Sequence, residues 1–488
     1  MPTGTPYQGH IPPYPAIRVD AFSVPREGDY HTTHLHLLTH THTDHIVGLE
    51  SMSFGQLVVC SQDAKSMLLR AEKYPDRIAF DQKRISQKVR PWAHLRTYSR
   101  IGRKNGLSRD LLRPIALNAP ERYQLDGEEV VTVTAIDANH CPGSVMYLIE
   151  GSKGAVLHTG DMRAEPSFVE NLKRNPFLAK YILPDPELDF RTEPASQDNS
   201  KHLYTTLEAI YLDTACLIGT VDVPTKIAAT SGLIQLMGLY SVTTRFFINI
   251  WTWGYEDILK AVSKAFGCKI HVDRYKKVIY SSLQSDPLLN VITTEDPYST
   301  RFHACERFNR CACVPSEDSE VVYVNAVECP VLTWDVWRKA TQIRLLAGER
   351  VKSLIVPLAR HSTLPELQHF VSIFKPKRVV PNTVLPRFRG ADWACIPVMF
   401  RSSMAPGGAE RVMEDMRANG YSIWADVHLP LDKGRSLISS NSAGLISQDD
   451  PVDLNGHSFT AASRTFSHRH GRTLRAGQPM RPLRLQCC

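Results

Sequence analysis

His40, His42, Asp44 and His45 fall within six positions, directly after an apolar, strand-like stretch, in the run Leu-Leu-Thr-His-Thr-His-Thr-Asp-His-Ile-Val-Gly. This spacing ties a strand to a metal-binding turn. In an extended segment alternate side chains share a face, so His40 and His42 approach one ion together. Asp44 and His45 then lie where the chain turns, and Gly48 gives that turn its freedom. Imidazole nitrogens with one or two carboxylate oxygens form the donor set of a catalytic zinc site that keeps a position for water. His31, His34 and His36 crowd the same region, so a merely His-rich loop is the competing reading.

The chain is long enough for two to four domains at 488 residues, and its 43% hydrophobic and 22% charged content is that of a globular protein. The N-terminus has neither a basic start nor an apolar core, and the longest apolar stretches, such as 232–242, are too short and polar to span a bilayer. An intracellular protein with no membrane association is expected. Eleven cysteines, an odd count scattered over the chain, favour reduced thiols and metal ligands over a disulfide framework.

Charge is uneven. Between residues 83 and 113 lie Lys83, Arg84, Lys88, Arg90, Arg96, Arg100, Arg103, Lys104, Arg109 and Arg113, with Asp110 as the one acid. Such a patch either attracts a polyanion, with salt-dependent binding, or is a solvated insertion. The stretch 464–484 holds six arginines and no acid, a flexible basic arm.

Strand patterns run through 56–60, 129–136, 145–150 and 155–158, with helical spacing at 62–73, so the first part is a layered α/β domain. Residues 185–200, rich in Pro, Asp and Glu, form a surface loop. A helix (226–240), strand (245–251), helix (255–266) and strand (269–272) make a second α/β unit, and the Ser-, Gly- and Arg-rich residues from about 401 are expected to be largely disordered.

Three further strand ends carry metal-competent residues: His140 before a Pro-Gly turn, Asp161 in Leu-His-Thr-Gly-Asp, and Asp213 in Ile-Tyr-Leu-Asp-Thr. Each alone could be a cap or a core residue. Their order is what counts. Asp20, His40-x-His42-x-Asp44-His45, His140 and Asp161 resemble the metal motifs of the metallo-β-lactamase fold. Asp213 resembles the first β-CASP motif of that superfamily's nucleic-acid-processing branch, His361 in Ala-Arg-His-Ser-Thr the second, and Val380 in Pro-Lys-Arg-Val-Val-Pro the third. The resemblance spans about residues 15–386.

The resemblance implies a four-layer αββα metallo-β-lactamase sandwich with an inserted α/β β-CASP domain. Its boundaries are residues 1–205 for the first part of the sandwich, 206–351 for the β-CASP domain, 352–400 for the return segment and 401–488 for a basic tail. His40, His42 and His140 hold a first zinc. Asp44 and His45 hold a second, weaker ion, Asp161 bridges, and Asp20 fixes the histidine loop by hydrogen bonds. Asp44 also takes a proton from the attacking water, and His361, oriented by Asp213, is the general acid. Valine rather than histidine at position 380 is similar to the DNA nucleases of the branch rather than its RNA-processing enzymes.

His271, His303, Cys305 and Cys313 are similar to a structural zinc site of the Artemis-like members. Cys311 is the rival fourth ligand, and Cys313 is preferred for its spacing to Trp334. The segment Trp253-Gly-Tyr-Glu256 before a helix also resembles that subgroup.

The resemblance therefore implies a nuclear, monomeric, zinc-dependent DNA nuclease of double-strand-break or crosslink repair, choosing its substrate by shape. Lys83, Arg84, Lys88, Arg90, Arg96, Arg100, Arg103 and Lys104 are candidate DNA contacts, and a repair kinase or ligase is a possible partner of the tail. The alternatives are an RNA endonuclease of the same branch, a small-molecule metallo-hydrolase and a non-catalytic DNA-end scaffold.

Overall fold

A computed structural model describes residues 6–420, apart from 24–31, 102–103, 185–203, 218–221, 251–252, 307–310, 312, 315–319 and 385–389. The described residues belong to one compact unit, Met1–Trp424. The expected loop at 185–200, Arg103 and the tail beyond residue 420 lie outside them, as do the side chains of Arg100 and Lys104.

Three main sheets account for the fold. In the first, Tyr14–Val19, Leu35–Leu37, Val58–Ser61 and Leu112–Ile115 run parallel, with His10–Ile11 antiparallel at one edge. Every residue of Val58–Ser61 is buried, as suits an interior parallel strand covered on both faces. Ser61 ends that strand and caps the helix Gln62–Leu68 by accepting from the Ala64 amide. The sequence pattern had carried this helix on to residue 73.

The second sheet orders Val379–Pro381, Ala209–Leu212, Gly154–His158, Val145–Gly151, Val130–Asp137 and Glu121–Gln124. The Tyr147 hydroxyl, on the second sheet, donates to the Leu38 and Val59 carbonyls beside the first. The two sheets thus face each other, with Leu37, Val59, Tyr147 and Leu148 fully buried, in the α/β sandwich architecture of metallo-β-lactamases.

The third sheet is entirely parallel: Thr293–Thr294, Ile270–His271, Phe302–His303, Arg245–Asn249, Val321–Ala326 and Ser353–Val356. Its core joins Phe246, Ile248 and Val324 to Leu233, Leu259 and Trp334 from the helices Lys226–Met237, Glu256–Phe266 and Val331–Leu346. Strand Ala209–Leu212 lies in the second sheet, while Ser353–Val356 lies in the third.

One expectation needs correction. Residues just past 400 are not an unstructured tail: Gly408–Ala418 is a helix that buries Ala409, Val412 and Met416. A single apolar stripe at helical spacing suffices for this, even in a Ser-, Gly- and Arg-rich stretch.

Strand register delivers the site. Tyr211 pairs with His158 on one side and Val380 on the other. The segments that follow these strands emerge side by side, carrying Asp161 and Asp213.

Candidate metal centre

His40, His42, His140 and Asp161 converge, each offering a donor atom, and these atoms all lie within 4.8 Å of one another. His42 Nδ1 is 2.9 Å from His40 Nε2 and 3.1 Å from His140 Nε2. Asp161 Oδ2 is 3.5 Å from the first of these and 3.6 Å from the last. The other carboxylate oxygen of Asp161 lies 3.4 Å from His45 Nε2, which is 3.6 Å from Asp44 Oδ2. Asp161 therefore faces two donor groups with its two oxygens. All six expected residues come together.

The outward nitrogens decide which way the inward lone pairs point. The Thr39 hydroxyl donates to Asp20 Oδ2 at 2.6 Å, so its oxygen accepts from His40 Nδ1 at 3.0 Å. His42 Nε2 donates to the Trp253 carbonyl at 3.3 Å and His140 Nδ1 to the Arg360 carbonyl at 3.0 Å. His45 Nδ1 donates to Asp20 Oδ2 at 2.8 Å. His40, His42 and His140 thus each turn an unprotonated nitrogen inward, whereas burial of His45 is overridden by the Asp161 and Asp20 carboxylates, which hold its pKa well above the usual range. Burial lowers the His40 and His140 pKa values well below the usual range, reinforced by their imidazole neighbours, and takes His42 down to about 3 with help from the Arg360 charge. Neutral imidazoles with facing lone pairs repel unless a cation lies between them. The donor set fits a divalent metal.

Asp20 itself adopts φ 51°, in the left-handed region, where Asp is tolerated better than most residues. Gly48 at φ 99° meets the Phe22 backbone at 2.5 Å from where a Cβ would sit; no other residue fits there.

Asp213 and His361 form a second, adjoining pair. Asp213 Oδ2 accepts from His361 Nδ1 at 2.8 Å and from the Met162 amide at 2.9 Å, while the Ala215 amide donates to Oδ1. Burial opposes the charged form of His361, but the Asp213 carboxylate, helped by Asp161, raises its pKa to about 9. Burial likewise opposes the Asp213 carboxylate, and the charge and hydrogen bond of His361 override it, lowering its pKa. The His361 and His140 ring centres are 4.8 Å apart, so a protonated imidazole stands beside the metal-donor cluster. Ser362 braces the loop, donating to the Met162 carbonyl and accepting from the Ala164 amide.

Val380 is buried in its strand and presents no donor. In the third sheet, His271 Nδ1 and His303 Nδ1 lie 3.0 Å apart, with Cys305 Sγ 3.4 Å from the first and Cys311 Sγ 3.4 Å from the second. The set closes on Cys311, correcting the expectation of Cys313, which offers its backbone carbonyl to Arg245. The contact between the two thiols raises the pKa of Cys305 and lowers that of Cys311.

The basic segment forms a hairpin from Arg96–Ile101 and Lys104–Asp110. Lys83, Arg84, Lys88 and Arg90 are exposed. Arg96 approaches Asp110, which also binds Lys65, and Arg113 binds Glu121. Thr39, Trp253 and Arg360 escaped the sequence reading because two of them act through backbone carbonyls, which any residue possesses.

Residues 287–386 match the DNA repair metallo-beta-lactamase family. The mouse protein named Artemis is 24% identical over 393 residues, 78% of this chain and 48% of its own. Rat "5' exonuclease Apollo" is 26% identical over 375 residues, 76% of this chain and 54% of its own. Human Artemis is 22% identical over 393 residues, 78% of this chain and 49% of its own. The chain thus spans about half the length of the curated relatives it matches. The family implies a divalent metal, which the His40, His42, His140 and Asp161 donors fit, and among the described residues no helix is long and apolar enough to cross a membrane. Matched by the family model over residues 287–386 and by these relatives over about three quarters of its length, the chain is similar to the Artemis-like DNA repair proteins of the metallo-β-lactamase/β-CASP group.

Proposed function

We propose that this protein is a zinc-dependent DNA nuclease of DNA repair, a reading carried by the cage of His40, His42, His140 and Asp161 set against the Asp213–His361 pair. Zinc bound there would lower the pKa of its water towards neutrality and offset charge developing on the attacked phosphate. His40, His42 and His140 would hold the first ion and Asp44 and His45 a weaker second, with the Asp161 carboxylate facing both donor groups. The Asp44 side chain, 59% exposed, is open to substrate and would accept a proton from the attacking water. His361, kept protonated by Asp213, gives its proton to the departing sugar oxygen. The products are a 5′-phosphate and a 3′-hydroxyl. His271, His303, Cys305 and Cys311 would hold a structural zinc as a His₂Cys₂ set.

Strand membership supports an inserted β-CASP domain that begins after Leu212 and ends at Val356, a few residues later at each end than 206–351. Val380, which adds no ligand to the second metal position, favours DNA over RNA. The donor set and the added His361 also tell against a small-molecule hydrolase. Action in the nucleus on DNA ends, overhangs or hairpins is part of this reading, and the DNA repair family match supports it. Recruitment of a kinase or ligase falls to the tail, outside the described residues.

The zinc-loaded protein should cut end-labelled DNA single strands, blunt duplexes or hairpins and leave matched RNA intact. Asp44→Ala should abolish cleavage with unchanged melting temperature. Metal analysis should find one zinc equivalent lost in Cys311→Ser and none in Cys313→Ser. Normal turnover by Asp44→Ala, or preference for RNA, would overturn the assignment.

A further inference from the structure

Arg360 is a cation without a counter-ion at the edge of the metal-donor cluster. Its guanidinium donates to the Trp253 carbonyl at 3.0 Å and lies over the Tyr255 ring, 5.0 Å from its centre. Among the described residues no carboxylate pairs with it. Other cations between the lactamase sheets and the third sheet do find acids: Arg77 binds Glu306, Arg274 binds Glu72 and Asp81, and Lys226 approaches Asp257. Removing a guanidinium from bulk water without an anion costs free energy. A site that keeps one in this state reserves it for an anion that arrives later.

Its position says which anion. The Trp253 carbonyl that accepts from Arg360 also accepts from His42 Nε2 at 3.3 Å, so guanidinium and metal-donor imidazole meet on one oxygen atom. The Arg360 carbonyl in turn holds His140, and the next residue is His361. The Arg360 side chain is fixed from behind: a Cβ on Gly254 would come within 2.7 Å of Arg360 Cδ. Stacked on Tyr255 and held at one nitrogen, the planar fork keeps further N–H groups for a phosphate, which it can grip through two parallel bonds.

We infer that Arg360 binds a phosphate of the substrate strand beside the metal cage and positions the scissile bond for attack. The inference rests on the nuclease reading, deepening it by naming the residue that holds the backbone. Arg360 is a substrate-binding residue; it moves no proton.

The test uses the full chain with a fluorescein-labelled single-stranded deoxyoligonucleotide, read by anisotropy over a salt series, together with zinc content, melting temperature and cleavage kinetics. Arg360→Met keeps the stem over Tyr255 and removes the charge; Arg360→Lys keeps the charge. Arg360→Met should weaken binding on the order of tenfold and flatten the salt slope by about 0.7, one phosphate contact on a single strand. KM should rise while zinc content holds, and Arg360→Lys should recover most of the binding. Unchanged affinity and slope in Arg360→Met would overturn the inference. So would loss of zinc in both variants, which would make Arg360 a brace for Trp253. If the wild type binds the oligonucleotide yet cleaves nothing, the nuclease reading fails while the binding series still decides the role of Arg360.

Discussion

One carboxylate, Asp20, controls two imidazoles. It takes the Thr39 hydroxyl proton, which turns that oxygen into an acceptor for His40, and it accepts directly from His45. The histidine run was readable because its members are contiguous, and Asp20 because the family resemblance includes it. The tautomer control by Thr39 was not readable: a threonine between apolar and histidine residues carries no such signature. The choice between Cys311 and Cys313 likewise depended on which thiol reaches His303 in three dimensions. At this scale pH is the sharpest probe. The His361 pKa is raised from 6.5 to about 9 by its partner, so its pair with Asp213 contributes stability fully below pH 6.5 and loses it as pH rises through about 9. The melting-temperature gap between wild type and His361→Gln in metal-free protein should be widest near pH 6 and close above pH 9. A gap independent of pH would show that His361 acts by packing alone.

Among the elements, the turn from Trp253 to Glu256 does most for the site, although it belongs to the third sheet. Gly254 has φ 108°, and its amide donates to Glu256 Oε2 at 2.7 Å, which fixes the Trp253 carbonyl over His42. A Cβ at Gly254 would sit 2.9 Å from the His140 carbonyl oxygen. Gly254→Ala should therefore cost about 1–3 kcal/mol of stability and roughly 10- to 100-fold in metal affinity, measured by denaturant unfolding and competitive chelation. Wild-type metal affinity in this variant would separate the turn from the cage. The sequence pattern placed the flanking strand and the helix Glu256–Phe266 well, since apolar periodicity marks both. What the turn does is a matter of tertiary approach, invisible to periodicity. The helix Gly408–Ala418 was missed for the opposite reason: its polar composition hid a short apolar stripe.

Across the whole molecule, the lactamase sheets and the third sheet are joined by buried charge as well as by the site. Arg77 and Glu306, both nearly inaccessible, pair at 2.6 Å, and Glu306 directly follows Cys305. The Asp63 carboxylate accepts from the Gln284 and Ser285 amides. Removing one partner of a buried pair leaves the other uncompensated, so Arg77→Ala should destabilise by about 3–5 kcal/mol, read by chemical denaturation. Arg77→Ala combined with Glu306→Gln should recover part of that loss. The sheet topology carries a further consequence, for synthesis. Strand Val379–Pro381 joins the second sheet beside Ala209–Leu212, and His361 meets Asp213 across 148 positions. Between the two halves the ribosome must deliver the entire third sheet. A nascent chain carries the histidine run almost from its start, yet it has no working centre until its last strand docks. Long-range closure of this kind is slow, so the Asp213–His361 pair waits on the late segments of the chain before it can form.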